Sequence, residues 1–142
     1  MAWQTPKINW QGGTNSSGVY TGDRFNAEDF NRIKNNLEYL HKMAIALFPT
    51  FSIEELGSDR TAEDYFYADE INALENNLAA INDGTLNLDI GTAPVFNPNG
   101  STMTFGDLNR LESATLNLYN KLNSAYNGRR MFTWNFGIKG GL

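Results

Sequence analysis

The chain has no cysteine and only one histidine in its 142 residues. Disulfides and Cys-bearing metal sites are therefore excluded, and the fold has to be held by packing. His41 by itself cannot supply the histidine pair of a zinc hydrolase or complete a nucleophile triad, and its place beside Leu40 on a helix flank reads as surface. Charge is sparse too: 19% of residues are charged and the formal net charge is -5. A surface built to neutralise phosphates would look different, so nucleic acid is not an expected partner; Arg129-Arg130 reads as solvated surface. No apolar run approaches the length of a bilayer span, so no membrane partner is expected; the longest, Met43 to Phe48, reads as a helix end. The start, Met1 to Lys7, has no basic segment followed by an apolar one and is not a secretory signal. Gly137-Ile-Lys-Gly-Gly141 has no helix behind it to cradle a phosphate. Asn82-Asp-Gly-Thr-Leu-Asn-Leu-Asp89 lacks calcium-loop spacing and a closing Glu, and reads as a helix stop and turn. The acid pairs Glu28-Asp29 and Glu54-Glu55 sit at a helix start and on the surface. Neither an enzyme nor a cofactor nor a metal is expected.

What the chain does have is internal repetition. Phe25-Asn-Ala-Glu-Asp-Phe-Asn-Arg-Ile-Lys-Asn-Asn-Leu-Glu-Tyr-Leu40 realigns on the stretch beginning at Phe66 and again on the stretch beginning at Met103. The shared core is an acid, a large apolar residue, Asn, a spacer and another large apolar residue: Asp29-Phe-Asn-Arg-Ile33, Glu70-Ile-Asn-Ala-Leu74 and Asp107-Leu-Asn-Arg-Leu111. Self-similarity of this kind sets the architecture before any other signal. With 41% hydrophobic residues the chain can build one core. The expectation is a mainly α single domain over 1–142. It is a three-helix bundle made from the repeat, with helices over 25–48, 66–83 and 104–127, an extended N-terminal arm over 1–24 and a C-terminal strand or hairpin over 129–140.

Each helix has an apolar stripe at three- and four-residue steps. In the first, predicted over Ala27–Leu47, it is Phe30, Ile33, Leu37, Leu40, Ala44 and Leu47, with Asn26 capping, Asp29 in the box position and Pro49 ending the run. The second, Ala68 to about Asn82, turns Ile71, Leu74, Leu78 and Ile81 inward. Tyr67 is a poor cap, so Asp64 or an earlier start is expected, and Asp83-Gly84 is the stop. The third follows Thr104, with Asp107 in the box, to about Tyr126; Thr115 and Leu116 contest one core slot, and Asn127-Gly128 is the stop. Each stripe offers large side chains worth roughly 1.5–3 kcal/mol apiece when fully buried. Three stripes facing one axis close a core.

Between the helices, Ile53-Glu-Glu-Leu56 could form a short turn and Leu86, Leu88 and Ile90 a short strand; Asn97-Pro-Asn-Gly100 is a turn. Phe132, Trp134, Phe136 and Ile138 alternate with polar residues, the strongest strand signal in the chain. A lone strand must find a partner for its backbone groups. The arm, broken by Pro6 and several glycines, carries Trp3, Ile8, Trp10 and Tyr20. These anchors pack either on their own domain or on a neighbouring subunit. Trp3, Ile8, Trp10, Phe132, Trp134, Phe136 and Ile138 are accordingly the expected subunit-interface residues. Asn31, Asn72 and Asn109 recur at one register although Asn is a poor helix former. Their amides either tie the loop before each helix to the helix body or form a polar cluster for a ligand or subunit.

The run Tyr20-Thr-Gly-Asp-Arg-Phe-Asn-Ala-Glu-Asp-Phe-Asn-Arg-Ile-Lys-Asn-Asn-Leu-Glu-Tyr-Leu40, after an early Trp, resembles a helix-start segment of structural proteins of tailed phages, especially those of Firmicutes. There Gly-Asp, an aromatic, Asn and then Asp-Tyr-Asn-Arg-Ile-Asn-Asn open a helix; here Phe30 stands where Tyr is often found. The likeness is close over residues 8–42, reaches about residue 126 through the repeats, and leaves out the C-terminal strand. The resemblance implies a virion protein made in the host cytoplasm: a tail, baseplate or neck/connector building block that assembles with itself and with other virion proteins. A host-recognition or carbohydrate-binding module of a tail fibre, with Trp3, Trp10, Trp134 and the tyrosines as stacking platforms, is the alternative.

Overall fold

The computed structural model describes residues 3–13, 15–19, 22–23, 25–61, 68–92, 94–95 and 104–138, with the side chains of residues 126 and 128–138 outside the description. It is mainly helical: α1 spans Ala27–Leu47, α2 Ala68–Gly84 and α3 Phe105–Ile138, and the three pack together. There is no strand among the described residues.

The helix starts follow the predicted cap chemistry. The Asn26 side chain accepts from the backbone of Asp29 while the Asp29 side chain accepts from Asn26, a reciprocal box that satisfies two otherwise orphan donors. Thr104 and Asp107 do the same for α3. The cap of α2 at Tyr67 or Asp64 lies outside the described residues, as do Tyr20 and the turn at 97–100. Over 129–138, where a strand or hairpin is expected, and across the expected stop at Gly128, the backbone continues α3, and the side chains there, Phe132, Trp134, Phe136 and Ile138 among them, lie outside the description.

The core is the three stripes brought face to face: Phe30, Ile33, Leu37 and Leu40 from α1, Leu74, Leu78 and Ile81 from α2, and Leu108, Leu111, Leu118 and Leu122 from α3. The contested slot goes to Thr115, which is buried and donates its hydroxyl to the Leu111 carbonyl, so it carries no unsatisfied polar atom into the core.

The helices run parallel. Arg32 of α1 meets Glu112 of α3 near both helix starts, and Tyr39 meets Tyr119 further along both. Phe51 sits at His41 of α1 and against Gly84 of α2, near both C-terminal ends, whereas Arg60 is held at Asn31 and Glu70, near both N-terminal ends. Parallel neighbours force each connection to travel the helix length backwards. Residues 51–61 therefore return along the α1–α2 side, and the arm runs the same way between α1 and α3.

Two local expectations are corrected. Ile53 to Leu56 forms no turn and Leu86 to Ile90 forms no strand. The Asn77 side chain holds the backbone of Glu54, and the Asn82 side chain holds that of Leu88, so these segments pair with side-chain amides rather than with another strand. Asn87 also takes a left-handed φ of 52°, which ends any strand there.

Candidate functional site

The repeated asparagines act as clamps. Asn31 accepts from the Arg60 amide at 2.7 Å and donates to the Arg60 carbonyl at 2.9 Å. Asn109 does the same to Trp10, at 2.7 and 3.1 Å. A carboxamide offers one acceptor and two donors in a plane, the complement of one residue's backbone N–H and C=O. Asn36 and Asn77, five residues further along their helices than Asn31 and Asn72, clamp Gln4 and Glu54 in the same way. The amides tie extended segments to the bundle, but not the loop directly before their own helix: Asn31 holds the segment leading to α2, and Asn109 holds the arm leading to α1. Asn72 too is engaged in an interaction.

Gln4 and Trp10, and likewise Glu54 and Arg60, are six residues apart. Midway between them, Lys7 N donates to Glu112 and the Gly57 carbonyl accepts from Lys34. Facing the helices at every third residue gives the arm the period of a polyproline II segment, which has no internal hydrogen bonds and must find them elsewhere; in the Glu54–Arg60 segment a left-handed φ of 79° at Gly57 breaks that conformation.

The second shared register is buried and charged. Lys34, Glu75 and Glu112 occupy equivalent repeat positions and are 3%, 4% and 1% exposed. Glu112 has a full set of donors: Trp10 Nε1 at 2.6 Å, Lys7 N at 3.0 Å, and Arg32 Nε and Nη2 at 2.8 Å each. For Arg32, burial pulls the guanidinium down, but Glu112 and then Asp29 outweigh it and the proton is held more tightly than usual. On the α2–α3 side the equivalent residues pair more loosely: Arg110 Nη2 meets Glu75 Oε2 and its Nη1 donates to the Ile90 carbonyl, while Glu75 Oε1 and Arg110 Nε are buried without a hydrogen-bond partner. Burial raises the Glu75 carboxyl above its ordinary range, with Arg110 opposing. On the α1–α2 side Ala73 replaces the arginine, and Lys34 turns instead to Gly57, Asn35 and Asp59. Asn35 and then Lys34 hold the Asp59 carboxyl below its ordinary value.

Trp10 is 3% exposed, inside its own domain, with Phe25 and Phe105 beside it. Trp3 is half-buried and stacks on Tyr119 at 3.9 Å and 7°. Of the arm residues expected at an interface, Ile8 alone is largely exposed, at 50%. Asp23 fastens the end of the arm: it accepts from Gln11 N at 2.8 Å, pairs with Lys7 at 3.1 Å and donates its own amide to the Gln11 carbonyl. The Gln11 N–H first, and then Lys7, hold the Asp23 carboxyl below its ordinary value. His41 is not a free surface ring. It is half-buried, with Nε2 2.7 Å from the Phe51 carbonyl and its ring edge-on to Phe51.

An open cleft of about 740 Å³ lies along α1, lined by Phe25, Asn26, Glu28, Asn31, Asn35 and Arg60 among others. Its prominent polar groups are committed to the fold: Asn31 to Arg60, Asn35 to Asp59 and Lys34, and the Arg60 guanidinium to Glu70 and to the Leu56 and Ser58 carbonyls. Among the described residues no group of acids and histidines could hold a metal ion, and no helix is long and apolar enough to cross a membrane. Sequence reasoning missed Glu112, Arg32, Asn36 and Asn77. The Asn-Asn pair shared by the first two repeats, Asn35-Asn36 and Asn76-Asn77, was the available signal. No protein family, no curated protein and no solved structure matches the chain.

Proposed function

We propose that the protein is a structural component of a tailed-phage virion, in the tail, baseplate or neck/connector, working through subunit–subunit assembly rather than catalysis. Its partners are further copies of itself and other virion proteins, with no role for nucleic acid, membrane or cofactor. One observation carries this reading: the phage-like segment at 20–40 supplies most of α1, with Asn31 and Asn36, which hold extended chain, and Arg32, which ties α1 to Glu112 of α3. Side chains used in this way suit a scaffold. The finer architecture belongs to the same proposal: a bundle grown from one repeated unit, whose C-terminal segment 129–140 takes up a strand or hairpin in the assembly and offers Phe132, Trp134, Phe136 and Ile138 to neighbours by strand addition.

The carbohydrate-binding alternative needs exposed aromatic faces. Trp10 is buried and one face of Trp3 is covered by Tyr119, so no observation favours it. Light scattering of the purified chain across a concentration series tests the proposal. Growth into oligomers is expected. A monomer at every concentration, with both termini protected from proteases, would overturn it.

A further inference from the structure

We infer that the N-terminal arm is exchangeable: in the assembled state, residues 3–12 of one copy occupy the α1–α3 groove of a second copy. This rests on the assembly reading above and names the contact through which it happens.

The argument lies in how the arm's contacts are distributed. Gln4 is held by Asn36, Lys7 by Glu112 and Asp23, Trp10 by Asn109 and Glu112, and Gln11 by Asp23. Trp3 stacks on Tyr119, and Gly12 lies against the Phe105 ring. Every one of these partners lies at Asp23 or beyond it in the chain. The stretch from Gly13 to Gly22 separates the two sets. The hydrogen bonds of its residues 15–19 stay inside one turn, between Asn15 and Ser17, Gly18 or Val19. A segment whose contacts all lie on the far side of one linker can leave its own body and dock on an identical one with the same contacts re-formed. Only the linker changes shape.

The linker suits that change. Gly13-Thr-Asn-Ser-Ser-Gly-Val-Tyr-Thr-Gly22 has the composition of a flexible connector. Closed, it joins Gln11 and Asp23, which are hydrogen-bonded to each other at its base. Extended, its ten residues span about 33 Å, roughly the length of the 21-residue helix beside it. The groove is also selective. Two amides read the backbone six residues apart, and the Glu112 carboxylate reads an indole N–H, so it accepts an extended segment ending in Trp. A second copy supplies that segment at the concentration of the assembly itself.

The test uses the unaltered chain. Lys7 Nζ is 3.1 Å from Asp23 Oδ1, within reach of a carbodiimide that condenses amine and carboxylate into an amide with loss of water. Light and nitrogen-15-heavy chains are denatured together, refolded, brought to a concentration at which light scattering shows oligomers, cross-linked, and digested after Arg24. Exchange yields pairs of N-terminal peptides joined through Lys7 and Asp23, a large share of them one light and one heavy. Asp23→Asn chains lose these pairs, which identifies the linkage. Oligomers that yield only single peptides looped on themselves would overturn the exchange while leaving the assembly reading intact. A chain that never associates would overturn both.

Discussion

The unit of construction is a single carboxamide. Asn31 satisfies both backbone groups of Arg60, so Asn31→Ala leaves a half-buried N–H and C=O without partners. The expected loss is about 1–3 kcal/mol, read as a lower Tm. Asn31→Asp keeps the acceptor but sets a carboxylate oxygen against a carbonyl, and should recover only part of that loss. Glu112 is more exacting: Glu112→Ala strands Arg32 and the Trp10 indole N–H together and should cost about 3–5 kcal/mol, measured by denaturant unfolding. Asp23 makes the arm pH-sensitive. Its carboxyl is held below the ordinary 3.8, so the fold prefers the ionised form. That stabilisation is complete above about pH 3.8 and is lost as pH falls through the lower folded value. The protection of the Gln11 amide against hydrogen exchange, corrected for the intrinsic pH dependence of exchange, should therefore fall on acidification through that window, and Asp23→Asn should remove the effect.

At the level of elements, two glycines separate a requirement from a tolerance. A Cβ at Gly12 would lie 2.3 Å from the Phe105 ring, so Gly12→Ala must lift the arm's end or push α3's first residue. It should lower Tm and expose the arm to proteases. At Gly106 the nearest atom to such a Cβ is Thr104 Oγ1, at 3.6 Å. Gly106→Ala should be neutral or add up to about 1 kcal/mol, because Ala loses less backbone freedom in a helix. The stripes, the caps of α1 and α3, and the bounds of α1 were legible in the sequence, because period and cap chemistry are local. The return segments were not. Residues 51–61 have no regular pattern, and the alternation of Leu86, Leu88 and Ile90 points to a strand that does not form: the hydrogen bonds of these segments go to side chains such as Asn31, Asn77 and Asn82.

For the whole molecule, the parallel arrangement decides everything else, because it obliges each connection to run back alongside the helices and gives the repeated asparagines something to hold. Ile8 and Val19 are the large apolar side chains the arm leaves exposed among the described residues, and Ile8 lies in the part that packs on the bundle. Ile8→Asp should weaken association in light scattering while leaving the Tm of the dilute chain within about 0.5 kcal/mol of unfolding free energy, as for an exposed site. The same substitution with unchanged association would place the contact elsewhere.

The residues alone determined that three helices exist, where α1 and α3 begin and which faces are apolar, because each of these is written in spacing and composition. They also marked the recurring Asn as unusual. They did not say what it grips, that Trp10 is buried over Glu112, or that Arg32 and Arg110 serve equivalent carboxylates. Those pairings join residues up to 102 positions apart, and only the packing of three parallel helices brings such distant groups within a hydrogen bond's length.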